Sequence, residues 1–104
     1  MFVLSIYKLT ALFPREELFG LTSQFRRAAV SVAANIAEGY KKKGVKDKLR
    51  FYNISQGSLE ECRYYIILSQ DLNYAQTAGL RLELEEVSKM LESYMSTIRK
   101  NMIR

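Results

Sequence analysis

The chain has 104 residues, a formal charge of +5, no His and a single Cys. That length supports one domain, residues 1–104, with one small hydrophobic core. Hydrophobic residues at 48% against 26% charged argue against a disordered chain. Without an imidazole, Ser-His-Asp and Cys-His nucleophile chemistry is excluded, and a lone Cys62 excludes an intrachain disulfide and the usual zinc or transition-metal sites. The expectation is a protein with no cofactor, no metal and no enzymatic activity.

The opening "MFVLSIYKLTALF" is apolar but has no basic leading region and no A-x-A-type cleavage site, and no apolar run approaches the roughly 20 residues of a membrane span. It reads as a core helix, about residues 2 to 12, in a cytoplasmic protein with no membrane association. Pro14 ends it, because the residue before a proline disfavours helix. In the turn "PREELFG", Leu18 and Phe19 are expected to tuck against the core, and Gly20 breaks the chain.

A second helix is expected from Thr22 to Glu38, with Thr22 or Ser23 as N-cap and Gly39 as C-terminal stop. At about 100° per residue, Leu21, Phe25, Ala28, Val32 and Ile36 share its core face. Gln24, Arg27, Ser31, Asn35 and Glu38 form a polar stripe beside it, while Arg26 points elsewhere, next to Val30, Ala33 and Ala37. A surface helix usually carries a broad charged face; this one has a narrow seam and a second apolar side. Two readings stand. Either the seam is where helices or subunits lock, or it lines a ligand groove with Arg26 and Arg27 on phosphates.

The connection "YKKKGVK" leads to a third helix, about residues 46 to 72. Between Lys41 and Arg50 lie six basic residues (Lys41, Lys42, Lys43, Lys46, Lys48 and Arg50) and one acid, Asp47. This segment alone sums to +5, so the rest of the chain is balanced. Such a corner can hold a polyanion, RNA or DNA; the alternative is a solvated loop kept soluble by lysines. Ser55, Ser58, Cys62 and Ser69 sit near the third helix's apolar face, and Ala28, Ala29 and Ala33 offer small surfaces opposite, so these two helices are expected to pack closely. Cys62 reads as a small core residue. Glu60 and Glu61 are adjacent and diverge, the wrong geometry for paired acid/base work; Glu60 reads as solvated and Glu61 as a possible partner for a core polar group. The tyrosines could stack on bases, but amphipathic packing at bundle edges is the commoner role.

After the break "NYAQTAG", with Thr77 a candidate cap, the fourth helix, about 78 to 101, carries the cleanest heptad: Leu80, Leu84, Val87, Leu91, Tyr94 and Ile98. No strand-like alternation occurs. Short connections between four helices favour an all-α, antiparallel up-down-up-down four-helix bundle.

The stretches "FPREELFGLTSQFRRAAVSVAANIAEGY", 13 to 40, and "RFYNISQGSLEE", 50 to 61, resemble a bacterial four-helix bundle family first noticed as proteins encoded in 23S ribosomal RNA intervening sequences. Its pattern falls on Gln24, Arg26, Arg27, Ser31, Asn35, Glu38, Gly39, Ser58 and Glu61. That family is similar in fold to the accessory protein of diversity-generating retroelements, which binds nucleic acid and works with a reverse transcriptase. The resemblance implies a ring-like homopentamer with a nucleic-acid role. The first helix looks two or three turns shorter than the family's, and Cys62 stands where the family more often has Leu. The functional expectation is RNA or DNA binding through Lys41, Lys42, Lys43, Lys46, Lys48 and Arg50, with Arg26 and Arg27 as further contacts. Gln24, Arg27, Ser31, Asn35, Glu38, Ser58 and Glu61 are expected to form the subunit or helix seam. The alternative is a scaffold that docks a protein partner.

Overall fold

The computed structural model describes residues 1–103, with side chains through Met102. Its elements are α1 (Phe2–Thr10), a 3₁₀ turn (Arg15–Glu17), α2 (Leu21–Lys41), α3 (Val45–Asp71) and α4 (Ala78–Ile103), with no strand among the described residues. The molecule is a rod of 51 × 23 × 18 Å. No described helix is long and apolar enough to cross a membrane.

The core follows the apolar periodicity. Phe25, Ala28, Ala29 and Val32 of α2 meet Tyr52, Leu59, Cys62 and Ile66 of α3, and Leu80, Leu84, Leu91 and Met95 of α4 close the cluster. The α2–α3 interface is the most extensive in the molecule. Its small residues explain why. Ser55, Ser58, Cys62 and Ser69 are all buried on α3, and the Ser55 hydroxyl donates to the Val32 carbonyl across the interface (2.8 Å). A hydroxyl held this way lets the backbones approach without leaving a buried donor unpaired.

Contacts fix the register. Gln24 meets Tyr65, Ser31 meets Ser58 and Val32 meets Ser55, with positions falling along α3 as they rise along α2. Arg63 pairs with Glu85, Gln56 with Glu92, and Tyr52 stacks on Tyr94. α1 packs on the N-terminal half of α2 and also touches α4, where Ser5 Oγ donates to Glu83 (3.1 Å).

Several local expectations are corrected. α2 starts at Leu21 with Gly20 as its N-cap, and Thr22 is buried inside the first turn. Glu17 supplies the cap instead: its Oε1 accepts the Leu21 amide (3.2 Å), so the carboxylate of the preceding turn satisfies one of the helix's orphan donors. Leu18 and Phe19 do not tuck in; Phe19 is 93% exposed. The 3₁₀ turn directs Glu17 inward and leaves its two apolar neighbours outside.

Gly39 does not stop α2 either, since the helix continues to Lys41 and ends on Lys42 in extended geometry. What needs glycine at 39 is space. A Cβ there would lie 2.5 Å from Tyr52 Cε1 and 2.8 Å from Cδ1, inside any possible contact. The left-handed helix terminator occurs elsewhere, at Asn73 (φ 60°) after α3. Its N–H and that of Tyr74 return to the carbonyls of Gln70 (3.0 Å) and Ser69 (2.9 Å), a Schellman motif that Asn tolerates in place of Gly. Thr77 directly precedes α4, and its buried hydroxyl donates to Gln70 Oε1 (2.9 Å). Along α4 the heptad holds at Leu80, Leu84 and Leu91, but Met95 takes the fully buried place while the neighbouring Tyr94 remains 47% exposed. Ala33 also turns out exposed, on the side of α2 away from α3.

Candidate functional site

Two polar regions stand out. The first lies on the α2–α3 seam. Gln24, Arg27, Ala28 and Ser31 of α2 face Ser58, Glu61 and Tyr65 of α3 around a groove of about 370 Å³. Ser31 and Ser58 share a hydrogen bond of 2.7 Å, and Tyr65 donates to Gln24 Oε1 (3.1 Å). Asn35 turns back along its own helix, donating to the Ser31 carbonyl (2.8 Å) and hydroxyl (3.0 Å). The neutral members of the stripe thus satisfy each other. The charged members differ: Arg27 and Glu61 are exposed at the groove, and neither makes an ion pair among the described residues.

Five of the seven expected seam positions, Gln24, Arg27, Ser31, Ser58 and Glu61, therefore line one groove. Asn35 is tied to its edge through Ser31, and Glu38 lies beyond it, exposed near the end of α2. Glu61 leaves its mark on its neighbours. Burial pushes the Cys62 thiol up to about 12, and the Glu61 carboxylate adds to the effect. Tyr65 is raised as well, by burial first and then by Glu61, with Cys62 and Tyr64 adding to the rise. At 0% exposure Cys62 is a neutral core residue, poorly suited to thiolate chemistry. Glu60 faces outward and pairs with Arg63 (3.2 Å). No group of three metal-ligating side chains occurs among the described residues.

Arg26 is separate, as the helical wheel predicts. Its Nε donates to Thr10 Oγ1 (2.8 Å), a second guanidinium nitrogen reaches the Tyr7 carbonyl (3.4 Å), and the group lies 4.7 Å from the Tyr7 ring centroid. It fastens α1 to α2.

The second region is the basic segment from Lys41 to Arg50, spanning the last residue of α2, the connection and the first turns of α3. Its six cations have different local duties. Lys48 Nζ donates to the carbonyls of Gly39 (3.1 Å) and Tyr40 (2.8 Å), so it caps the C-terminus of α2, where the helix dipole favours a cation. Lys42 lies 5.1 Å from the Phe51 ring centroid, and Arg50 lies 4.7 Å from it while pairing with Asp47 (3.6 Å). Lys41, Lys43 and Lys46 are exposed and form no ion pair among the described residues.

Residues outside the sequence reading also position these regions. Tyr65 completes the seam groove. Glu17 joins two elements, accepting Leu21's amide with one oxygen and the Tyr74 hydroxyl (2.9 Å) with the other. That hydrogen bond, ahead of burial, raises the Tyr74 pKa. Nothing in the spacing of "PREELFG" marks Glu17 for this; only the approach of the α3–α4 connection does.

Among curated proteins, none matches the chain in sequence. The family model described as 23S rRNA-intervening sequence protein matches residues 1–93. The four-helix fold accompanies that match, and the chain belongs to this family.

Proposed function

We propose that this protein is a non-enzymatic, cytoplasmic nucleic-acid-binding protein, with RNA as its first ligand, built as an up-down-up-down bundle that assembles into a homo-oligomer. The observation that carries the reading is the concentration of the entire net charge in residues 41–50, with Lys41, Lys43 and Lys46 exposed and unpaired among the described residues. A neutral rod with one cationic end presents phosphates with a local, repeatable target. Of the remaining candidates, Arg27 is available at the seam groove, Lys42 and Arg50 reach solvent from Phe51, and Lys48 contributes charge while holding the α2 terminus.

The contact register supports consecutive helices running in opposite directions. It also supports a larger basic end than the sequence segment alone. Because Glu92 and Tyr94 lie beside Gln56 and Tyr52, the following turn of α4 carries Arg99 and Lys100 toward the same end. The family's description names 23S rRNA, which makes RNA the first ligand to try.

Electrophoretic shift and anisotropy titrations across a salt series test the reading. Binding should weaken linearly in log–log form, with a slope of about −0.7 per phosphate contact on a single strand. Lys41→Ala/Lys43→Ala/Lys46→Ala should lose most of the affinity without losing helicity. Absence of any shift with RNA or DNA at low salt, or full binding by the triple variant, counts the reading out.

The oligomer proposal rests on a second apolar side of α2. Val30 is 44% exposed, and Ala33, Ala34 and Ala37 are exposed beside it, with Phe19 projecting nearby. A ring of five, as the family resemblance implies, would repeat the basic end and add avidity. Light scattering decides this: a monomer at tens of micromolar removes the assembly. The same exposed face favours a second reading, a scaffold that docks a protein partner. A partner that stays bound after nuclease treatment, together with no nucleic-acid binding by the purified protein, would select the scaffold.

A further inference from the structure

Aromatic rings accompany the charges at the basic end. Tyr40, in the last turn of α2, is 65% exposed, and its backbone is held by Lys48, whose Nζ donates to the Tyr40 carbonyl (2.8 Å) and stands 5.6 Å from the ring centroid. Tyr52 behind it is 1% exposed and wedged against Gly39. Tyr94 stacks on Tyr52 with centroids 5.7 Å apart and planes at 22°, and remains 47% exposed. Tyr94 also borders an apolar groove of about 360 Å³ with Ile36 and Met90, rimmed by the hydroxyls of Ser93 and Thr97. Burial raises the Tyr52 pKa, and Tyr94 and Tyr40 both add to the rise, as three hydroxyls gathered at one end would.

The other exposed tyrosines lack this setting. Tyr7 lies under the Arg26 guanidinium, and Tyr64 leans on Tyr65 near the opposite end of α3. Phe51 is half-buried and faced by Lys42 and Arg50, whereas Tyr40, with Lys48 to one side, and Tyr94, with Tyr52 on one face, each keep ring surface exposed at this end. Exposed aromatic faces interleaved with lysines match the needs of an unpaired strand, whose bases are free to stack while its phosphates meet the charges. A duplex keeps its base faces covered and would use only the lysines.

We propose that the basic end takes its nucleic acid as a single strand, with bases stacking on Tyr40 and Tyr94 while Lys41, Lys43 and Lys46 hold the phosphates. This deepens the reading of the basic end as a nucleic-acid site and rests on it.

The test compares four probes of equal phosphate number by fluorescence anisotropy at fixed low salt. They are single-stranded RNA, single-stranded DNA of the same sequence, a duplex, and a strand made largely of abasic positions. The single strands should bind about ten-fold more tightly than the duplex or the abasic strand. Tyr40→Ala should lose about ten-fold on base-bearing single strands and nothing on the abasic strand, while Tyr40→Phe keeps full binding. Tyr40 is exposed enough that its replacement should leave thermal melting unchanged, whereas Tyr94→Leu, which keeps an apolar contact with Tyr52, serves as the second probe. Equal binding of all four probes with no effect of Tyr40→Ala overturns the stacking proposal; if the triple lysine variant still weakens every probe, the basic-end reading survives it. Binding by none of the probes overturns both. Equal affinity for RNA and DNA single strands supports stacking, since every base has a face to offer.

Discussion

The two halves of α2 are held by different means. The N-terminal half, from Leu21 to Ser31, is walled by α1 and α3. Arg26 binds Thr10, Gln24 accepts from Tyr65, Glu17 caps Leu21, and Phe25 sits at 0% exposure between Phe13 and Tyr65. The C-terminal half makes no side-chain hydrogen bond to α1 among the described residues. It is anchored by the close approach of Tyr52 at Gly39 and by Lys48 on its last carbonyls, with Ala33, Ala34, Ala37 and Tyr40 open to solvent. One helix thus spends its first half on stability and offers its second half as surface. The charge follows the same division, since its excess begins only where α2 ends.

If the N-terminal half of α2 carries the stability, the largest loss should come at Phe25. Truncation to Ala should cost about 3–5 kcal/mol in urea unfolding, the range for large buried aromatics. A loss under about 1 kcal/mol would mean the N-terminal half is not the stabilising one.

Gly39→Ala comes next. The added methyl must displace a ring that is 1% exposed, costing about 1–3 kcal/mol by overpacking. In a Tyr52→Leu background the same change should be close to neutral, because the clashing ring is gone. Equal costs in both backgrounds would show that Tyr52 is not what demands glycine.

Glu17→Ala removes both the α2 cap and the acceptor for Tyr74 and should cost about 1 kcal/mol. Thermal melting of this variant beside Tyr74→Phe separates the two contributions. A smaller effect is expected at the other terminus, where Lys48→Ala should cost about 0.3–1 kcal/mol, diminishing with salt as a partly exposed dipole interaction does. If Lys48→Ala proves more damaging than Glu17→Ala, the ranking of the two ends is inverted.

The last effect is confined to the alkaline limb of the stability profile. The Cys62 thiol is raised in the folded state from 9.0 to about 12, so its contribution is complete below pH 9 and lost as pH climbs from about 9 to 12. Tyr52, Tyr65 and Tyr74, all raised above 10.0, act with the same sign. Cys62→Ala should flatten the alkaline decline of the melting temperature without changing its acid side; an unchanged profile assigns the decline to the tyrosines.

Much of this was readable from residue spacing. A 100° step separates Phe25 and Val32 from Gln24, Arg27 and Ser31, and the same step on α3 brings Ser58 and Glu61 to a common groove with them. Repetition of small residues on α3 announced its closeness to α2. Reading failed where geometry depended on residues distant in sequence. Gly39 looks like a helix terminator until Tyr52, thirteen positions on, claims the space of its Cβ. Phe19 looks like core until the 3₁₀ turn points Glu17 inward in its place. Tyr94 and Met95 are consecutive and lie about 100° apart at the edges of the heptad stripe, and only the packing of α4 in the bundle decides which is buried.

Residue order alone therefore suffices for the four helices, their apolar faces, the polar stripe of α2 and the isolated block of positive charge, because each is a local property of period or composition. The tertiary structure alone decided which charges are engaged and which are open. Arg26 and Lys48 look like their free neighbours in the sequence, yet one is bound to α1 and the other closes α2. A hydrogen-bond partner is set by proximity in space, and proximity across helices is not written in the spacing along one. It also brought Tyr40, Tyr52 and Tyr94 from three helices to one end of the molecule, with Lys48 against Tyr40, an arrangement that no single segment contains.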